Sequence, residues 1–175
     1  MSASKNARER LALALRRNRG APVTEQYLGA VSAIVGCPFR ADTDLLPLEA
    51  TDELFAMFSH SFRVCTTEPP KCVHLRFPAA DSTHLFSRLA ELPANSTSLP
   101  IALFGKESEY TGALRLQSPD AFLNAHALLQ LEVDGLRVAT LDGSQGFLLD
   151  YLSREQEFEF WLWGDEWMES FRSGC

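Results

Sequence analysis

Seven residues near the C-terminus constrain this chain more than any others. Across Glu157-Phe158-Glu159-Phe160-Trp161-Leu162-Trp163, small steps of two separate the side chains into two sets. Phe158, Phe160 and Leu162 belong to one face of a strand, and Glu157, Glu159, Trp161 and Trp163 to the other. A period of two over seven residues is a strand signal, and a strand with one wholly apolar face must lie in a sheet that covers a core. The second face mixes carboxylates with indoles, so it is either covered by another element or offered to a partner. A covering helix would bury the rings and leave the acids at its margin.

The segment before it supplies neighbours for that strand. Asp142-Gly143-Ser144-Gln145-Gly146 reads as a turn leading into a strand at 147–152, with both glycines expected at positive φ. Gln130 to Val133, Asp134-Gly135, and Leu136 to Leu141 read as a hairpin, because Asp-Gly between alternating runs is a strong short-range hairpin signal. A further hairpin is expected from Phe62 to Cys65 and Val73 to Phe77, with Val64 facing Val73 and with Cys65 and Cys72 meeting on its opposite side. Leu99 to Phe104 and Tyr110 to Leu116 read as two more strands.

Helices fill the gaps. Residues 4–19 are rich in helix formers and are expected to stop at Gly20. Thr24 would cap a second helix over 25–35, ended by Gly36. Residues 37–50 read as a loop, and Thr51 starts a short helix carrying Leu54, Phe55, Met57 and Phe58. Asp81 would cap a helix through Leu92, and Ser118-Pro119-Asp120 is a helix start with proline at its first position. The sum is a single α+β domain over 21–175, mostly antiparallel, with helices on one face of the sheet, preceded by a basic helix or arm at 1–20. The length of 175 residues and an apolar share of 46% suit one domain with an ordinary core.

Charge narrows the partners. Residues 1–20 hold six basic side chains against Glu9, about +5 in all, so with a net charge of −7 the remainder stands near −12. An acidic body repels phosphate, so nucleic acid is not an expected partner. No apolar run approaches the ~20 residues of a membrane span, and no secretory signal is recognisable, so a cytoplasmic location is expected with all four cysteines as thiols. The basic arm either touches an acidic partner or pairs with the acidic body.

The residues that could carry chemistry are few. His60, Cys65, Cys72, His74 and His84 lack the close paired spacing of a zinc site. Ser144 lacks a nucleophile elbow, and no glycine-rich phosphate loop follows a strand. Cys65 or Cys72 with His74 or His126, or Asp142 with Asp150, remain as pairs whose test is a pocket holding at least two of these groups. No metal or cofactor is expected.

The C-terminal cluster is the remaining candidate site: Glu157, Glu159, Trp161, Trp163, Asp165, Glu166 and Trp167. Tryptophan is enriched at binding hot spots, and acids steer a cationic partner. Together with the Leu136 to Leu152 hairpin, the ending Glu159 to Trp167 resembles bacterial immunity proteins, which neutralise toxins delivered by contact-dependent or type VI secretion. The resemblance implies a non-catalytic inhibitor that binds one toxin domain tightly, often a basic nuclease. Two other classes fit a small acidic α+β chain: a dimeric secretion chaperone with an apolar groove, and a small enzyme.

Overall fold

The computed structural model describes residues 2–67, 71–132 and 135–173. Its frame is one six-stranded sheet, antiparallel throughout, in the order β1-β6-β5-β4-β2-β3. The strands are β1 (Cys72–Pro78), β2 (Pro100–Phe104), β3 (Leu114–Gln117), β4 (Leu136–Thr140), β5 (Gly146–Leu152) and β6 (Glu157–Trp163). The helices are α1 (Ser2–Val35), α2 (Leu48–Thr67), α3 (Ser82–Asn95), α4 (Ser108–Thr111), α5 (Ser118–Leu123), α6 (Ala125–Leu129) and α7 (Asp165–Ser173). This is a single α+β domain, as the patterning requires.

The alternation of β6 is realised residue for residue. Phe158, Phe160 and Leu162 enter a large core with Phe147, Phe122, Trp167 and Phe171, sealed by α1, α3, α5, α6 and α7. The other face is not bare. There α2 lays Leu54, Phe58 and Cys65 over Ala102, Phe104, Ala139 and Trp163. Helices therefore pack around both faces, five on one and α2 on the other, whereas the sequence suggested one face.

That correction follows from the stretch 62–65. Its alternation is only four residues long, and a helical spacing runs through the same positions: Leu54, Phe58, Phe62, Cys65. Local pattern fits both structures, and the longer period wins because α2 buries that stripe on the sheet. The expected hairpin is absent, and its turn residues 68–70 lie outside the described residues. Cys65 and Cys72 are still neighbours, as a helix end meeting a strand start, with the Cys72 thiol directed at the Cys65 carbonyl at 3.5 Å. Thr51 does not cap α2. It sits inside the helix, and its hydroxyl accepts the Ala113 N–H at 2.9 Å, clamping α2 to the edge of the sheet.

The first helix does not stop at Gly20. It runs through Gly20 and Pro22 as one 34-residue helix. Gly20 is buried, and a Cβ there would stand 2.4 Å from the Tyr110 carbonyl oxygen. Glycine is required for close backbone approach to α4, not to end the helix. Thr24, expected as a cap, bonds back to the Gly20 carbonyl at 2.8 Å. The basic arm pairs with the acidic body: Arg16 forks the Asp52 carboxylate at 2.7 and 2.8 Å and donates to the Glu109 carbonyl. Gly36 ends the helix as expected, at φ +79.

Two turns complete the frame. Asp142 closes the β4–β5 turn, its Oδ1 accepting from the Thr140 hydroxyl and from both the N–H and hydroxyl of Ser144. Gly143 takes φ +70, but Gly146 does not need positive φ. Gly146 pairs with Trp163 across the ladder, and a Cβ would meet the indole ring at 2.4 Å. The Asp134-Gly135 hairpin is not formed by the described residues. Gln130 caps α6, β4 pairs with β2 and β5, and Val133 and Asp134 lie outside the described residues.

Candidate functional site

The second face of the sheet is graded in polarity along β6. Its innermost row crosses Cys72, Trp163, Gly146, Ala139 and Ala102, all buried beneath α2. The next row crosses His74, Trp161, Leu148, Arg137 and Phe104. The third crosses Arg76, Glu159 and Asp150, and Glu157 lies two residues further out on β6. α2 ends over the first two rows because only those rows offer it apolar surface.

Glu159 is the centre of the outer row. One of its oxygens accepts from Arg76 Nε at 2.8 Å and Arg76 NH2 at 2.7 Å, and lies 3.0 Å from His74 Nε2. Burial pushes the Glu159 carboxyl up, but the hydrogen bonds from Arg76 and His74 outweigh it and hold the group below the usual glutamate range. His74 stacks flat on Trp161, centroids 3.6 Å apart, and Phe62 meets that indole edge-on at 5.5 Å. Trp161 is thus a half-buried ring held by His74 and Phe62 at the boundary between covered and open sheet. His74 and Arg76 were legible as the polar positions of β1, alternating with Val73, Leu75 and Phe77. Their partner was hidden because the pairing of β1 with β6 spans more than eighty residues.

The other expected contact residues divide. Trp163 is buried against Phe58 with centroids 5.1 Å apart, and Trp167 is fully buried, edge-on to Phe122 at 4.9 Å. Both are core side chains, so the expected aromatic patch reduces to Trp161. The reason is that both faces of β6 are covered at its C-terminal end, by α2 on one side and α7 on the other. Glu166 is engaged internally. Its carboxylate accepts the Thr97 N–H at 2.6 Å, which holds its carboxyl pKa below the ordinary value. Asp165 is exposed in the first turn of α7, away from the outer row, while Glu157 borders that row.

The catalytic pairs come out as follows. Asp142 and Asp150 lie at opposite ends of β5, and Asp142 is committed to its turn, where bonds from Thr140 and Ser144 lower its carboxyl pKa. Burial and the nearby Cys72 push the Cys65 thiol to about 12, which makes Cys65 a poor nucleophile at neutral pH, and burial also raises the Cys72 thiol. A cleft of about 660 Å³ is lined by His126, Asp150 and Glu132, so two of the groups expected for an enzyme do share one pocket. No hydrogen bond joins them. Asp150 accepts the Tyr151 N–H, and the Glu132 carboxylate is taken by the Tyr27 hydroxyl at 3.2 Å and the Lys106 N–H at 2.7 Å. Glu132 was missed as a buried group because it reads as a strand residue in the sequence. Among the described residues no three His, Cys, Asp or Glu side chains converge as metal ligands. No described helix is long and apolar enough to cross a membrane.

Comparison with protein-family models, with curated proteins and with solved structures gave no match to this chain.

Proposed function

We propose that this protein is a non-catalytic binding protein of the immunity type, which neutralises a basic toxin domain by covering it with the open end of its sheet. The observation that carries the reading is the outer row of the second face. Asp150, Glu157 and Glu159 stand on adjacent central strands beside Arg76, with Glu155 and Arg154 in the turn that joins β5 to β6. The balance is acidic, the backbone beneath is a paired ladder, and Trp161 stands at its edge. A rigid acidic platform with one aromatic anchor suits a cationic protein surface. Charges of this kind set encounter rate and register, while a half-buried ring supplies the part of the contact that resists dissociation.

The test is affinity capture from native lysate with wild type and an Asp150→Lys/Glu157→Lys variant in parallel, both matched by thermal melt. The expected outcome is one basic domain held in a one-to-one complex by wild type and lost by the variant. In kinetic measurements on that complex, Trp161→Ala raises the off-rate, and Glu157→Gln lowers the on-rate more at low salt than at high salt. A captured partner that binds the double variant as tightly as wild type overturns the reading.

A further inference from the structure

Between α2 and the middle of the sheet lies a cleft of about 450 Å³, within the ordinary size range of small-molecule sites. Phe55, Phe58 and Phe62 of α2 form one wall, and Leu148 of β5 and Arg137 of β4 form the floor. Phe55 is 42% exposed although its ring packs against both Phe58 and Phe104, so its free surface belongs to clefts on either side of it. Arg63 stands at the mouth, one helical position from Phe62. The cleft contains two guanidinium groups and no carboxylate. Arg137 crosses the ladder between Phe104 and Leu148, on apolar floor; it also borders the neighbouring cleft that holds Asp52 and Glu109 and acts at a distance on Glu132, but neither it nor Arg63 forms an ion pair among the described residues. Elsewhere on the same protein Arg16 and Arg76 are each matched to a carboxylate. With 23 acidic residues against 16 basic ones, partners were available. Two arginines that are not ion-paired among the described residues therefore share an aromatic cleft whose own lining holds no carboxylate.

We propose that this cleft binds a small carboxylate with a flat apolar body. The carboxylate lies on the Arg137 fork with Arg63 closing the mouth, and the body lies between Phe55, Phe62 and Leu148. A planar guanidinium presents paired N–H donors at the spacing of a carboxylate, and such charge-assisted pairs are the strong hydrogen bonds of binding sites. The phenylalanines supply the apolar area that a carboxylate alone cannot use. This site is separate from the outer acidic row and does not depend on the toxin-binding reading.

Three ligands of one shape test it: 4-phenylbutyrate, the neutral 4-phenylbutanamide and the cationic 4-phenylbutylamine. Each is titrated into the full chain at millimolar concentrations while backbone amide shifts are followed. The expected result is saturable binding of phenylbutyrate with shifts confined to residues 55–66 and 137–148. The amide should bind at least about tenfold more weakly and the amine not measurably. Arg137→Gln should weaken phenylbutyrate by about tenfold or more and leave the amide unchanged. Should that variant not fold, exposed Arg63→Gln on α2 gives the same comparison with a smaller loss. Equal binding of carboxylate and amide, shifts elsewhere, no saturable binding, or full phenylbutyrate affinity in the folded arginine variants would each overturn the proposal.

Discussion

The two faces of the sheet are built from the same six strands but solved differently. One is sealed by five helices over a core that includes Phe122, Phe147, Phe160 and Trp167. The other has a single helix, α2, whose smaller cluster centres on Phe58, Phe104 and Trp163. A sheet face closed on all sides can only be structural. A face closed over part of its length has a margin, and the proposed contact row and the Arg137 cleft lie along that margin. Trp161 and Arg137 share the last row that α2 reaches, and the Arg76–Glu159–Asp150 row is the first beyond it.

The largest expected effects test whether both clusters are true cores. Trp167→Ala removes a fully buried ring from the sealed face and should cost about 4–5 kcal/mol, the upper range for large core truncations. Trp163→Ala, beneath α2 alone, should cost about 3 kcal/mol, because one helix can settle into the space more readily than five. Urea unfolding of both variants measures the difference. A Trp163 variant that melts like wild type would break the comparison, since it would mean that α2 does not close that face.

Thiol chemistry probes the same closure without mutation. Cys65, in the last turns of α2, and Cys72 beneath it are buried, whereas Cys37 is exposed after α1. A thiol pKa of about 12 in place of 9.0 implies roughly a thousandfold less thiolate for Cys65 at neutral pH. Timed alkylation of native protein, read by peptide mass spectrometry, should label Cys37 early and Cys65 and Cys72 only under unfolding conditions. Equal rates for Cys37 and Cys65 would show that the end of α2 opens freely.

Glycine substitutions sharpen the comparison further, and they show what the sequence could and could not convey. Gly146→Ala drives a Cβ into Trp163 and the Val138 carbonyl, and overpacking of this kind should cost about 1–3 kcal/mol. Gly20→Ala should also destabilise, by contact with the Tyr110 backbone, although alanine is the better helix former. Gly29→Ala meets nothing within 4 Å and should stabilise by about 0.5–1 kcal/mol. Thermal melts of the three variants decide the signs.

Gly20 and Gly146 read from the sequence as a helix stop and a turn, and both instead allow close approach to a distant surface. Where a residue acts through its own backbone, as at Gly36, Gly143 or the β6 alternation, local pattern sufficed. Where it acts through a distant surface, as Gly20 does against Tyr110 or Gly146 against Trp163, nothing local distinguished it. The same division runs through the candidate site. The two faces of β6 were legible, but the burial of Trp163 depends on 62–65 being helical. That stretch is locally ambiguous and is decided by the sheet it covers. Trp167, Glu132 and the pairing of Glu159 with Arg76 likewise depend on contacts far along the chain.

The smallest effects concern two glutamates with opposite pH behaviour, one on each side of the comparison. Burial pushes the carboxyl of Glu159, in the open row, upward, but Arg76 and His74 together outweigh it and hold the group below the normal range. A lowered folded pKa stabilises above the unfolded value near 4.5, and that contribution fades as pH falls through the folded value. Glu132, buried behind the turn at 105–106, is raised by burial, with the Lys106 N–H and Tyr27 hydroxyl offsetting part of the shift. Its contribution is present in full below about 4.5 and is lost as pH rises through the raised folded value. Stability measured from acid to neutral pH should therefore change in opposite directions relative to the two neutral variants. Against Glu159→Gln, wild type gains as pH rises through the window below 4.5, by less than about 1 kcal/mol because the pair is partly exposed. Against Glu132→Gln, wild type loses ground above 4.5. If both differences ran the same way, the outer row would be as enclosed as the interior, and the division of the sheet into a sealed face and an open margin would fail at its most polar point.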